Sequence, residues 1–274
     1  MMKKILTIQD ISCYGQCSLT VALPILSALE VETCVLPTAI LSTHTGGFRG
    51  FTCLDLTEEM LKIERHWLNE KITFDGIYTG YMASAHQIDY VKQIINDFRK
   101  TVQYVLVDPV MADNGKLYSA FDMDFVRKMR ELCGMADVIV PNLTEACFLL
   151  DKPYTQSYTK HDIEETLVNL SKLGPKIVLI TGVKFENDEL GVAVYEKESN
   201  TFSYYFQKEI PQSFHGTGDI YASCFFGNLI NGVNVYLAAT HAVDFTVASI
   251  KATLPDKNEH WYGVHFEKVL KDIK

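Results

Sequence analysis

The chain has 274 residues, 47% of them apolar and 22% charged, with a formal net charge of −9. That apolar and charged balance excludes disorder across the whole chain, and an acidic chain lacks the basic footprint that a nucleic-acid partner would require. No apolar run reaches the roughly 18 residues of a membrane span, so neither nucleic acid nor membrane is expected as a partner.

Met1–Asp10 carries two lysines before apolar residues but no cleavage signal follows, and it reads as a first strand. The seven cysteines (13, 17, 34, 53, 133, 147, 224) contain no Cys-x-x-Cys pair. A reduced, cytoplasmic protein with mostly buried thiols is expected. In chain order, strands are expected at Lys3–Gln9, Val31–Leu36, Phe74–Tyr78, Gln103–Val107, Val138–Val140 and Lys176–Thr181. Helical period covers Ser18–Leu29 (with Pro24 as a candidate kink), a segment capped by Thr57 and ending near Asn69, Ser84–Lys100, and Phe121–Cys133. A short helix from Thr144 follows, then Thr159–Leu173, a segment from the His215–Asp219 loop to Leu229, Val235–Thr253 and His265–Ile273. Gly191–Tyr195 and Phe202–Phe206 read as an antiparallel pair. Strands alternating with helices predict one α/β domain over residues 1–274, with a mostly parallel sheet covered on both faces and a late antiparallel edge.

In such sheets, ligands bind beyond the carboxyl ends of the strands. The residues expected there are Gln9-Asp10, the glycine-rich Thr43–Gly50, Gly80-Tyr81, Asp108-Pro109-Val110, Pro141–Glu145, Thr181-Gly182 and Phe214–Asp219. Gly216-Thr217-Gly218-Asp219 carries the sharpest chemistry. Two glycines let backbone approach an anion, and a following helix offers free N–H groups and a positive dipole end. Asp219 is placed to take a proton from a hydroxyl that attacks a phosphoryl group. Chance alone would put G-x-G-D in about one chain of this length in fifteen, so the other strand ends matter. Asp108 stands at a buried strand end, and Asn142-Leu143-Thr144-Glu145 sets an amide and a carboxylate three apart, donors suited to a hydrated Mg²⁺ or to a plain capping box. Thr181-Gly182 reads as a nucleotide contact or a turn. His44 and His215 are substrate contacts or packed side chains, and Asn114-Gly115-Lys116 is a mobile cover or a solvated turn. The P-loop, Rossmann and G-x-S-x-G fingerprints are absent from the sequence.

Phe214-His215-Gly216-Thr217-Gly218-Asp219 resembles the anion-hole motif of the ribokinase-like small-molecule kinases. With Ile5–Asp10, Tyr14-Gly15, Ser42–Gly46, Val107–Met111 and Val140–Glu145 in the same order, the chain is similar to the pyridoxal (vitamin B6) kinase branch over its whole length. The resemblance implies a three-layer α/β/α sandwich, usually homodimeric, using ATP and Mg²⁺ to phosphorylate the 5′-hydroxymethyl group of pyridoxal, pyridoxamine or pyridoxine. It makes Asp219 the base and Gly216, Thr217 and Gly218 the anion hole. It places Asp108 and Glu145 at the magnesium and phosphates, Asn142, Val140 and Thr181 at the nucleotide, and Asp10, Thr45, Gly46 and Tyr81 at the B6 substrate. Three departures stand out: Asp10 where the family commonly has serine, His215 where some dual-function relatives have cysteine, and no glycine-rich N-terminal pattern of the hydroxymethylpyrimidine kinases. Alternatives are a hydroxymethylpyrimidine or sugar kinase of the same superfamily, or a non-catalytic B6- or nucleotide-binding protein.

Overall fold

The computed structural model describes residues 2–186 and 188–274. In chain order the elements are β1 (Lys3–Ser12), α1 (Leu19–Ala28), β2 (Val31–Leu41), β3 (Cys53–Asp55), α2 (Thr57–Asn69), β4 (Gly76–Thr79), α3 (Ala85–Phe98) and β5 (Tyr104–Val107). There follow β6 (Ala112–Asp113), β7 (Lys116–Leu117), α4 (Met123–Cys133), β8 (Val138–Ile139), α5 (Leu143–Leu149), α6 (Lys160–Ser171), β9 (Ile177–Val183), β10 (Glu189–Glu196), β11 (Thr201–Lys208), α7 (Thr217–Ile230) and α8 (Val235–Thr253).

Nine strands form one sheet in the order β11-β10-β9-β8-β5-β4-β1-β2-β3. The five central pairings from β9 through β2 are parallel, and β10–β11 closes one edge antiparallel as expected. Alternation along each buried strand feeds two cores. Leu6, Ile8, Val105 and Val107 face the layer of α2–α6, while Ile5, Tyr78, Leu106 and Leu179 face α1, α7 and α8. On α3, Ile88, Val91, Ile94, Ile95 and Phe98 recur at helical spacing and are all buried, each stabilising by roughly 1.5–3 kcal/mol relative to exposure. The Ser84 hydroxyl accepts the Gln87 N–H and starts that helix. α1 continues through Pro24, because Val21, Ala22, Ile25 and Leu26 bury one face and hold the helix despite the missing donor.

The differences from expectation have local causes. β1 and β2 run beyond the expected ends, to Ser12 and Leu41, since β3 pairs antiparallel with Ala39–Leu41. Asp55, not Thr57, supplies the capping oxygen of α2, accepting the Thr57 N–H at 2.7 Å. Asn114-Gly115 is the turn of the β6–β7 hairpin, with φ of 50° and 77°, and the Gly115 N–H donates to Thr144 Oγ1 at 3.0 Å. His265–Ile273 holds two 3₁₀ turns, Phe266–Lys268 and Leu270–Asp272, instead of an α-helix. The thiols are not mostly buried: Cys13 and Cys53 are exposed, Cys17, Cys34 and Cys147 are half-buried, and only Cys133 and Cys224 lie in the core. Both exposed thiols flank the β2–β3 edge: Cys53 pairs with Leu41, whose carbonyl accepts the Cys13 N–H at 2.8 Å. No described helix is long and apolar enough to cross a membrane.

Candidate active site

The chain leaves β1 toward β2 on one side and later returns to β4 on the other, so the strand order reverses between β1 and β4. A crevice opens at such a switch point. Asp10 from β1, Tyr81 after β4, Asp108 after β5, Glu145 at the start of α5 and Asp219 at the start of α7 are close enough there for their charges to act on one another.

Gly216 sits at the N-cap of α7 with φ 81° and ψ −1°. A Cβ on it would lie 2.0 Å from the Gln16 carbonyl oxygen, so this turn demands glycine on both conformational and packing grounds. Gly218 differs. Its φ is ordinary, and a Cβ there would meet nothing within 4 Å; the side-chain position is open crevice. The N–H groups of Thr217, Gly218 and Asp219 have no acceptor inside the helix by position, and the Thr217 hydroxyl turns away to the Phe214 carbonyl at 3.3 Å. The result is a cradle of free donors at a positive dipole end.

Asp219 is recessed beside that cradle and keeps part of its surface open. Its Oδ2 accepts the Ser18 N–H at 2.9 Å. Burial pushes its carboxyl up to about 7; the Ser18 hydrogen bond opposes this and the charge of Asp10 adds to it. A carboxyl poised there can exchange a proton near neutral pH.

Asp108 and Glu145 form a second acidic group. Asp108 is 7% exposed, and burial, then Glu145, then Asp219 raise its carboxyl well above the usual range. Glu145 forms the capping box with Asn142: Asn142 Oδ1 accepts the Glu145 N–H and Glu145 Oε2 accepts the Asn142 N–H, both at 2.9 Å. Glu145 Oε1 accepts the Met111 N–H at 3.1 Å. Burial nevertheless pushes Glu145 up to about 8. Two neighbouring buried carboxyl groups fit a hard divalent ion, which favours oxygen donors. Among the described residues no group of three or more His, Cys, Asp or Glu is arranged for a metal, so an ion here would complete its shell with water and phosphate oxygens.

The expected nucleotide positions lie along the same edge. Asn142 bridges to Thr181 on β9, while its Nδ2 donates to the Ala112 carbonyl at 2.8 Å. Thr181 lies within β9 rather than at its end, and Gly182 has φ 71° with open space where a Cβ would be. Val140 is 4% exposed and packs in the core below α7, so its side chain supports this edge from beneath.

On the other side of Asp219, the β1–β2 register shifts between Gln9 and Ile11: Asp10 of β1 lies opposite two residues of β2, Thr38 and Ala39, so β2 carries the extra residue, an irregularity that re-aims side chains. Asp10 Oδ2 accepts the Ser12 hydroxyl at 2.9 Å. Burial raises its carboxyl, with the Ser18 and Ser12 hydroxyls acting against it. Tyr81 is half-buried, its hydroxyl pushed up to about 12 by burial and by Asp10. Thr45 is exposed on the loop after β2, and a Cβ on Gly46 would strike the His215 ring at 2.6 Å. His44 is the packed reading: Nε2 pairs with the Tyr262 carbonyl at 2.7 Å and Nδ1 accepts the Gly46 N–H at 3.1 Å, which assigns the neutral tautomer with both nitrogens engaged. Ser18 and Ser12 escaped the sequence reading. Ser18 precedes a helical pattern and looks like an ordinary cap, and no local signal betrays the register shift beside Asp10.

The phosphomethylpyrimidine kinase family model matches residues 7–263. A Bacteroides thetaiotaomicron VPI-5482 protein assigned to the phosphomethylpyrimidine kinases, solved in a crystal form with pyridoxal, is 41% identical with a TM-score of 0.95, over 100% of this chain and 96% of its own. The pyridoxal kinase of Lactobacillus plantarum is 31% identical with a TM-score of 0.92, over 100% of this chain and 97% of that one. The pyridoxal kinase PdxY of Actinobacillus pleuropneumoniae serotype 5b (strain L20) is 30% identical over 263 residues, 89% of this chain and 86% of that protein.

Proposed function

The chain belongs to the phosphomethylpyrimidine kinase family, in its pyridoxal kinase branch, and on that premise we propose that it transfers the γ-phosphoryl group of ATP to the 5′-hydroxymethyl group of a B6 vitamer (pyridoxal, pyridoxamine or pyridoxine). One observation carries the chemistry: a recessed carboxyl, Asp219, anchored by one oxygen to Ser18 and set beside a glycine cradle whose Gly218 position is open. The ring identity is supported by the 41% identical relative crystallised with pyridoxal.

Asp219 orients the acceptor hydroxyl and takes its proton as the new O–P bond forms and the bond from the γ-phosphorus to the leaving ADP oxygen breaks. The N–H groups of Gly216, Thr217, Gly218 and Asp219 hold the charge that develops on the transferred group, in a site where such donors act without reorganising. Asp10, Tyr81, Thr45 and Gly46 border the ring, and Asn142, Val140 and Thr181 border the nucleotide. Asp108 and Glu145 would hold Mg²⁺, which when bound neutralises phosphate charge. A single kinase domain over 1–274, a homodimer and a cytoplasmic location complete the proposal; light scattering of the purified chain tests the dimer.

Asp108→Asn separates metal from fold. Removing one of two mutually repelling carboxyl groups is expected to leave the melting temperature equal or higher. The Mg²⁺ concentration giving half-maximal rate is expected to rise at least about tenfold, the size of a lost charged ligand contact. A Mg²⁺ titration of the rate and a thermal melt read both; an unchanged titration would take Asp108 out of the ion's shell.

The decisive experiment incubates the purified chain with ATP and Mg²⁺ and, in turn, pyridoxal, pyridoxamine, pyridoxine, hydroxymethylpyrimidine and ribose, following ADP release and phosphorylated product. Turnover of at least one vitamer above the other alcohols is expected. Preference for hydroxymethylpyrimidine or ribose, or binding of pyridoxal without turnover by any alcohol, overturns the assignment.

A further inference from the structure

The Thr43–Gly50 loop, which carries Thr45 and Gly46, has little of its own to hold it. Its base is closed by Ser42, whose N–H donates to the Thr52 carbonyl at 3.0 Å and whose hydroxyl accepts the Thr52 N–H at 2.9 Å. Three of its eight residues are glycines, the residue type that loses most freedom when a chain is ordered. Between its ends, the His44 N–H donates to the Tyr14 carbonyl at 3.3 Å and the Gly46 N–H to His44 Nδ1 at 3.1 Å. A loop with so few backbone partners keeps one shape only when other parts of the chain impose it.

The segment His260–Gly263, from the far end of the chain, does so here. The Tyr262 carbonyl accepts the His44 Nε2–H at 2.7 Å across 218 positions of sequence. The Trp261 ring lies 4.6 Å from that of Phe48, and a Cβ on Gly47, whose φ is 82°, would sit 2.7 Å from Trp261 Cζ3. The indole therefore covers the glycine next to Gly46. The Tyr262 and Tyr14 rings pack 4.8 Å apart. The segment is itself tied down: His260 Nε2–H donates to Gln16 Oε1 at 2.5 Å, Gln16 Nε2 donates to Glu267 Oε1 at 2.5 Å, and Val264 and Phe266 just beyond are buried in the core. Trp261 belongs to neither core and stays 43% exposed. A large ring left partly in water gains less from burial than a core residue does, and the contacts it does make run to the loop.

We propose that Trp261 is a positioning residue for the acceptor site: packed on Gly47 and Phe48, it holds Thr45 and Gly46 in the shape that receives the acceptor ring. The proposal rests on the kinase reading above and deepens it by naming a residue that governs acceptor affinity from outside the site. Without the indole the loop samples other shapes, and the acceptor must order it on binding. That cost falls on acceptor binding alone. Asn142, Val140 and Thr181 at the nucleotide, and the base Asp219, lie on other elements. The hold of the segment on Gln16, beside the Gly216 turn, runs through His260 and Gly263 and not through the indole. ATP binding and the chemical step therefore keep their geometry once the acceptor is seated.

Trp261→Ala is expected to raise the KM for pyridoxal about five- to tenfold, the weight of one aromatic pair, with kcat within about threefold and the KM for ATP within about twofold. Trp261→Phe keeps a ring against Phe48 and should hold the KM for pyridoxal within about twofold of the native value. Hydrogen exchange gives a readout besides activity. In the free Trp261→Ala chain the amides of residues 43–50 should exchange at least about fivefold faster, with β1, β4 and β5 unchanged, and saturating pyridoxal should restore their protection. A residue of purely structural importance would loosen sheet and loop together and disturb both KM values. Should Trp261→Ala not fold, Phe48→Leu removes the same ring pair from the loop side and is held to the same outcomes. An unchanged KM for pyridoxal, an equal rise in the KM for ATP, or unchanged exchange at 43–50 overturns the proposal. Failure of the unsubstituted chain to phosphorylate pyridoxal overturns the kinase reading instead, and the exchange measurement, which needs no turnover, keeps the two failures distinct.

Discussion

Asp219→Asn is expected to lower turnover of the B6 vitamer by at least about 100-fold, the contribution of a positioned general base. The amide keeps the shape of the carboxylate and can still accept the Ser18 N–H through its oxygen, so the start of α7 should stay in place. Steady-state rates beside a circular-dichroism spectrum check this. A folded variant with near-native turnover would remove Asp219 from the chemistry.

The same group sets a pH dependence with a definite sign. Because the base must be deprotonated, kcat/KM should rise with pH through about 7, the value to which burial pushes the Asp219 carboxyl. Stability should move the opposite way. Below about 4 both folded and unfolded chains keep this proton. Between the ordinary value of 3.8 and about 7 the unfolded chain gives it up while the folded chain retains it, so stability falls as pH rises and the loss is complete above about 7. A carboxyl moved that far corresponds to a ceiling of about 4 kcal/mol, reduced here because Asp219 keeps some contact with water. Asp219→Asn should therefore melt higher than the native chain at pH 8 and show a smaller difference at pH 4. An inactive variant with greater alkaline stability is the signature of a residue kept for chemistry.

Much of this was legible in the residues and some was not, for physical reasons. The alternation of β-branched runs with amphipathic helices announces a parallel sheet, because a strand buried on both faces must be apolar throughout. Once the strands are placed, their carboxyl ends follow, and Asp10, Tyr81, Asp108, Glu145 and Asp219 do converge. The three-residue β3 is hidden because Cys53-Leu54-Asp55 is exposed and carries no periodic signal. Asn114-Gly115 does carry the signature of a tight hairpin, but the strands on either side are two residues long, too short to show alternation. The exposed Cys13 and Cys53 depart from the burial that thiols usually prefer, since the edge they occupy depends on how β3 folds back. Ser18 is the instructive case. Its sequence position reads as a helix cap, and only the tertiary contact of its N–H with Asp219 reveals another use.

The two glycines of Gly216-Thr217-Gly218-Asp219 should respond in opposite ways to the same kind of change. Gly216→Ala places a methyl group 2.0 Å from the Gln16 carbonyl oxygen at a φ of 81°. The loop must move or the residue must leave the left-handed region, so a loss of stability of roughly 1–3 kcal/mol is expected, visible as a lower melting temperature. Gly218→Val meets no neighbour within 4 Å at an ordinary φ. In the first turn of a helix, replacing glycine adds no backbone strain and restricts the unfolded chain, so the melting temperature should hold or rise. Its branched side chain would instead occupy the space over the free N–H groups. Turnover should then fall by about 100-fold or more, the range seen when anion-hole donors are lost, with weaker ATP binding read by calorimetry. A stable Gly218→Val variant with normal ATP affinity and rate would mean that phosphate is not held there, and the anion-hole role of α7 would have to be given up. If instead stability and activity part company in this way, Gly216 is glycine because of the chain's own geometry, and Gly218 is glycine because of the phosphate that must fit against it.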